Sequence, residues 1–339
     1  MNRKSYFLRP GNIKRLHIEN QDLPDPAPQE VTVAVKAIGL NYADIFAITG
    51  LYKAAPKEAF IPGLEYSGEV MKVGKEVTRW KPGDQIMGVT RFGAYTTHLN
   101  IDQRYVVPLP AGWSFDQGAA YLVQVLTAYY AMFNLGNLLP GQNVLIHSAA
   151  GGVGIHANRI AKKKGAFTIG TVGSPAKVDF CKKEGWDRVI VRGKDFKEKL
   201  AEALGERPLH LVLECIGGEV LMTGYKKLTA QGRMVVYGSA RYGFRGNRPP
   251  ILNMLWKYLT RPKIDPQRMT TSNKGVLGFN LIYLFNQSEI MHQILADLQQ
   301  MELPPPYVGH TYRFEELREA IRFFQKGENV GKIVVRNSF

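Results

Sequence analysis

The stretch VLIHSAAGGVGIHANRIAKKKGA, residues 144–166, sets an apolar run directly against a glycine-rich turn that leads into helical spacing. Ala149-x-Gly151-x-x-Gly154 is the G/A-x-G-x-x-G form of the dinucleotide fingerprint, with the strand before it and the helix after it that the fingerprint requires. Glycine suits such a turn because the backbone must bend sharply and approach a pyrophosphate with no Cβ in the way. The helix N-terminus then offers unpaired N–H groups to the charge. Ala150, Gly151, Gly152, Val153 and Gly154 are therefore expected to cradle a dinucleotide.

The next strand, FTIGTV, bears on which dinucleotide. An NAD site wants an acidic residue about twenty positions after the turn to bind the ribose 2′-OH. Here the strand ends in Gly173-Ser174-Pro175-Ala176-Lys177, with no carboxylate to repel a 2′-phosphate. Lys177, together with Arg192 after the following strand, can hold that phosphate through charge-assisted hydrogen bonds, so NADPH is the expected cofactor.

Around the turn, strands and helices alternate: Val144 to His147, Phe167 to Val172, Arg188 to Val191, Leu209 to Cys215 and Arg233 to Tyr237 read as strands. Such alternation implies a parallel sheet wrapped by helices. The first third differs, with short β-like runs such as VTVAVKAIGL, YSGEVMKVG and DQIMGVT between Pro-Gly turns, as in a barrel-like β domain. GVLGFNLIYLF, residues 275–285, reads as one more strand, and Ser288 to Gln300 as a helix capped by the serine. The closing YVGHTYRFEELREAIRFFQKGENVGKIVV reads as strand, helix, glycine stop and strand. If that tail returns to the β domain, the fold is α/β, with a Rossmann-type unit (126–283) inserted into a barrel-type domain (1–125 and 284–339).

The chain has 339 residues and only two cysteines, Cys181 and Cys215, as expected of a reducing compartment. The charged start, MNRKSYFLRPGNIKRL, lacks the apolar run of a signal peptide, so a cytoplasmic location is expected. A net charge of +15 raises the question of nucleic acid, but no aromatic-basic recognition motif accompanies it. The basic excess concentrates in residues 241–274, where Asp265 is the sole acid. Within it Ile251, Leu252, Leu255 and Leu259 form an apolar face with Lys257 and Arg261 outside it. That face suits either a lid over the cofactor cleft, the preferred expectation, or a membrane surface.

GLNYADIFAITGLY, PGLEYSGEV, VGKEVTRWKPGDQIMG, SAAGGVG, GTVGSPAK, ECIGG, GRMVVYGSA and GENVGKIVV, in this order, resemble the zinc-free, quinone oxidoreductase-like group of the medium-chain dehydrogenase/reductase superfamily. NKGVLGFNLIYLF and the long basic insert most resemble its synaptic vesicle membrane protein branch, which is less clearly enzymatic. The resemblance implies a GroES-like catalytic domain, a homodimer paired across a two-fold axis, and a small electrophile, a quinone or an activated enone, as hydride acceptor. Zinc-dependent relatives carry ligands at the positions of Asn41, Leu64 and Val123, where an amide and two aliphatic side chains cannot bind zinc. The resemblance also places Asn41 and Tyr52 at the catalytic pocket, Tyr52 matching a proton donor of enoyl reductases. Thr127 falls beside the nicotinamide, and Ile216, Gly238, Ser239, Phe279 and Asn280 fall along the cofactor.

Overall fold

A computed structural model of the chain describes residues 1–337. Six parallel strands form one sheet, in the order Arg188–Val191, Phe167–Val172, Asn143–His147, Leu209–Glu214, Leu228–Val236 and Gly275–Gly278. The central strand Asn143–His147 is buried throughout, as expected of a parallel strand covered on both faces. Strand order reverses beside it, so a crevice opens at its C-terminal end, where the glycine turn lies.

The second sheet runs Val308–Arg313, Lys332–Arg336, Glu30–Gly39, Glu65–Val73, Gln85–Val89 and Val106–Pro108, with His98–Asp102 also paired to Glu30–Gly39. The tail does return to the barrel. Lys332–Arg336 pairs antiparallel with Glu30–Gly39, and the two sheets thus belong to one α/β architecture with the parallel unit interposed in the chain.

Three expectations require correction. GVLGFNLIYLF is not one strand: pairing with Leu228–Val236 stops at Gly278, and Leu281–Leu284 forms a 3-10 turn. The helix Ser288–Gln299 starts after Gln287, so Ser288 is its first residue rather than its cap. Its Met291, Ile294 and Leu298 share a core with Val125, Leu126 and Ala128 of the helix Leu122–Tyr129. This apolar stripe seals the parallel-sheet unit, and the return to the barrel sheet comes at Val308, not at residue 284.

The expected lid is the third. Ile251–Leu259 is a helix, but none of its residues is buried. Leu252 is 84%, Ile251 77% and Trp256 66% exposed, so the helix stands out from the body instead of packing over the cleft. Its broad apolar face, opposite Asn253 and Lys257, is left uncovered by the described residues.

Candidate functional site

A cavity of about 1010 Å³ lies between the glycine turn and the barrel. Ala150, Gly151, Gly152, Val153 and Gly154 line it, as do Asn41, Tyr52, Thr127, Gly173, Lys177, Arg192, Ile216, Gly238, Ser239, Phe279 and Asn280. Ser174 does not: its hydroxyl accepts from the Ala176 N–H and caps the turn Pro175–Lys177.

Gly151 caps the helix Gly152–Lys163. A Cβ at Gly154 would lie 2.4 Å from the Ser148 carbonyl oxygen, and one at Gly152 would lie 2.6 Å from Gln124 Cγ. Both glycines are required by packing. Gly151 differs: a Cβ there would meet only the Ser148 oxygen, at 3.2 Å, so its open side belongs to the cavity. The turn is pinned from the far end of the chain, since the Gly331 N–H donates to the Ala150 carbonyl at 2.7 Å.

At the end of Phe167–Val172, Arg192 donates through Nη1 to Thr171 Oγ1 at 2.7 Å. Behind Thr171 stand His147, whose Nδ1 is 2.8 Å from Thr171 Oγ1, and Glu214, 3.2 Å from His147 Nε2. All three are buried. Lys177 Nζ donates to the carbonyls of Gly327 and Asn329, each at 2.7 Å. Burial lowers the pKa of both cations, and for Lys177 the neighbouring Arg192 adds to the effect. Two like charges held together beside the glycine turn favour an anion between them.

The barrel side carries a buried polar cluster. Asn41 precedes the helix Tyr42–Ile48, and its N–H donates to Asp44 Oδ2 at 2.8 Å. Burial raises the Asp44 pKa to about 7 against the Asn41 N–H and the Tyr95 hydroxyl, which favour its charged form. The Asn41 amide has all its bonding positions filled. Nδ2 donates to Glu65 Oε1 at 2.9 Å and the Gly39 carbonyl at 3.3 Å, while Oδ1 accepts from Gln124 Nε2 at 2.7 Å and Lys332 Nζ at 3.0 Å. Lys332 also donates to Glu65 Oε1. Glu65 Oε2 accepts from the Val123 N–H at 3.1 Å. Asn41 therefore lines the cavity with no free donor, which removes the ground for a direct catalytic role. Tyr52, in turn, donates to Asn280 Oδ1 at 2.7 Å, and burial pushes its pKa up to about 12.

Lys332 and Gln124 were not among the sequence-based candidates. Only the lysine left a trace, as a charged residue opening the apolar run KIVV. Asn41, Leu64 and Val123 all line the cavity, and their side chains are not a zinc donor set. Among the described residues no cluster of three or more His, Cys, Asp or Glu is arranged to hold a metal ion.

Two family models match: the alcohol dehydrogenase GroES-like domain over residues 27–111 and the zinc-binding dehydrogenase domain over 152–281. Quinone oxidoreductase 1 of Escherichia coli is 32% identical over 84% of this chain and 88% of its own length. The crystal structure of an Escherichia coli quinone oxidoreductase complexed with NADPH superposes with a TM-score of 0.83 at 26% identity, covering 99% of this chain and 100% of that one. The chain belongs to the medium-chain dehydrogenase/reductase superfamily of oxidoreductases, in its zinc-free, quinone oxidoreductase-like group. Within that group it falls with the synaptic vesicle membrane protein VAT-1 branch. The VAT-1 homolog of Danio rerio is 32% identical over 90% of this chain, which spans 64% of that relative's length.

Proposed function

We propose that the protein is a zinc-independent, NADPH-dependent reductase of quinones and activated enones or alkenals. The observation that carries this reading is the pairing of Lys177 and Arg192 at one end of a cavity whose floor is the glycine turn. A pyrophosphate fits against Gly151, where no Cβ intrudes, and the helix Gly152–Lys163 offers its N-terminus. A 2′-phosphate fits between the two cations, with no carboxylate at the end of the second strand to oppose it. The bound dinucleotide supplies a hydride.

The chain's own residues hold and shield the acceptor. With no Lewis acid in the donor set, the acceptor must already be an electrophile, and the apolar walls keep water from it. The Tyr52 phenol lies on the same cavity and serves as the proton source for the reduced enone. NADPH oxidation across a panel of quinones, enones and alkenals, before and after chelator treatment, tests the reading. Turnover unaffected by chelator supports it, and tight NADPH binding with no turnover of any acceptor refutes it.

A second reading rests on the exposed helix Ile251–Leu259: a cofactor-binding protein that works at a membrane surface. Leu252, Leu255, Trp256 and Leu259 project beside Lys257 and Arg261, the composition of an interfacial helix. Among the described residues no helix is long and apolar enough to cross a membrane. Flotation with anionic liposomes, compared between the native chain and Leu252→Ser/Trp256→Ser, decides this second reading.

A further inference from the structure

An account of hydrogen-bonding capacity at the barrel end of the cavity singles out one group. Asn41 has no bonding position left. Tyr52 has its proton committed to Asn280. Lys332 is the exception. Of its three N–H bonds, one goes to Glu65 Oε1 and one to Asn41 Oδ1, and the third has no hydrogen-bond partner among the described residues. Lys332 lines the cavity together with Asn41, Leu64 and Val123.

The placement is built into the fold. A Cβ at Gly39 would run into the Ala119 carbonyl oxygen first and would also lie 2.8 Å from Lys332 Cε and 3.0 Å from Glu65 Cγ, so the same glycine that admits the Ala119 backbone leaves space for both side chains. The Lys332–Arg336 strand carries the lysine into the barrel sheet, where it and Glu65 are almost wholly buried; burial lowers the lysine's pKa, and the charges of Glu65 and Asp44 and the hydrogen bond to Glu65 oppose that shift and favour the ammonium form. A buried ammonium costs several kcal/mol unless paired.

We infer that Lys332 is the cationic donor that receives the acceptor's carbonyl oxygen, with Asn41 and Glu65 as the positioning residues that aim it. The inference rests on the reductase reading and adds to it the group that stabilises charge during reduction. A bound reduced dinucleotide would supply a hydride to the β-carbon of the enone, and the C=C electron pair would shift so that the carbonyl oxygen becomes an enolate oxygen. The third N–H of Lys332 meets that oxygen. The α-carbon then takes a proton from the Tyr52 phenol, which must leave Asn280 Oδ1 to give it and recovers a proton from solvent, and the carbonyl re-forms. In sum the acceptor gains one hydride at the β-carbon and one proton at the α-carbon, two electrons and two protons in all. A donor fixed before charge develops needs no reorganisation when it does.

The test uses 4-nitrophenol, whose phenolate is a stable oxyanion on an aromatic ring and whose ionisation is read directly from its absorbance, without cofactor or turnover. Bound to the native protein it should ionise about one to three pH units below the free phenol, the range for an opposite charge at contact distance. Lys332→Met should abolish the shift, and Lys332→Arg should retain most of it. Because Lys332→Met leaves Glu65 buried without its partner, the charge-balanced Glu65→Gln/Lys332→Met variant is measured alongside and should lose the shift equally. No shift with the native protein overturns the inference. So does a shift that persists in either methionine variant, since another cation of the cavity would then be responsible. A normal phenolate shift in a protein that reduces no acceptor would instead tell against the reductase reading while leaving the oxyanion site in place.

Discussion

The Tyr52 hydroxyl donates to Asn280 Oδ1 at 2.7 Å, joining the barrel to the segment that leaves the edge of the parallel sheet, 228 positions away. The bond holds the phenol at the mouth of the cleft. Its pKa of about 12, raised by burial, keeps it protonated throughout the neutral range. Tyr52→Phe should leave NADPH binding unchanged and lower kcat for enones by roughly tenfold to a thousandfold, the cost of one lost acid or oxyanion donor. Quinones should suffer less, because their reduced form can take protons from water. Wild-type enone turnover in the variant would reduce Tyr52 to a wall.

Cofactor selectivity should follow Lys177 and Arg192. NADPH is expected to bind more tightly than NADH by isothermal titration, and Lys177→Ala to cost roughly 1 to 3 kcal/mol of NADPH affinity with little effect on NADH. Equal affinity for both cofactors would refute the assignment of the 2′-phosphate to this pair.

Two glycines three positions apart should respond in different ways. Gly151→Val places its branches toward the cavity and should abolish cofactor binding in a protein that still melts cooperatively. Gly154→Val drives a side chain into the Ser148 and Ala149 backbone and should lower the melting temperature before any ligand is added. Thermal melts with and without NADPH separate the two cases.

Asp44 should make stability fall with rising pH. Its folded pKa, about 7, lies above its ordinary value of 3.8, so between these limits the folded state binds a proton that the unfolded state has released. Its contribution is fully present below pH 3.8 and is lost as pH rises through 7, by at most about 1.4 kcal/mol per pH unit. Asp44→Asn keeps an acceptor for the Asn41 N–H without the charge. Its stability relative to the native protein should therefore climb from pH 4 to pH 7 in denaturant titrations. A pH-independent difference would show that Asp44 is ionised in the fold.

The edge strand Gly275–Gly278 leaves one side of the parallel sheet unpaired among the described residues. Edges of this kind usually acquire a partner, and a homodimer is expected by light scattering at micromolar concentration. Replacing Val276 with proline should yield monomers, because the Phe279 N–H donates inward to the Val236 carbonyl and the alternate N–H of Val276 therefore faces the open edge, where proline cannot donate. A native monomer would leave the edge open to solvent.

What the sequence disclosed was governed by short-range rules. The turn at Gly151 to Gly154 and the strand Phe167–Val172 are legible because a strand, a glycine turn and a helix must be adjacent to bind a pyrophosphate. The meeting of Lys332 with Glu65 and Asn41 was not, since it depends on which strands pair, and 291 positions separate the lysine from the asparagine. The exposure of Ile251–Leu259 escaped for a related reason. Periodicity shows that a helix has apolar residues, but not whether the body supplies a surface for them.

The late arrival of Lys332 bears on how the molecule is made. During synthesis Glu65 emerges long before its counter-ion, so until then the Glu30–Gly39 and Glu65–Val73 pair can enclose the carboxylate only with the neutral donors Asn41 Nδ2 and the Val123 N–H, without the opposite charge that offsets its burial. The strand Lys332–Arg336 is also an internal member of that sheet, lying between Val308–Arg313 and Glu30–Gly39. The barrel sheet therefore reaches its full strand complement and its buried charge balance only when the last strand has been made, after the whole interposed unit.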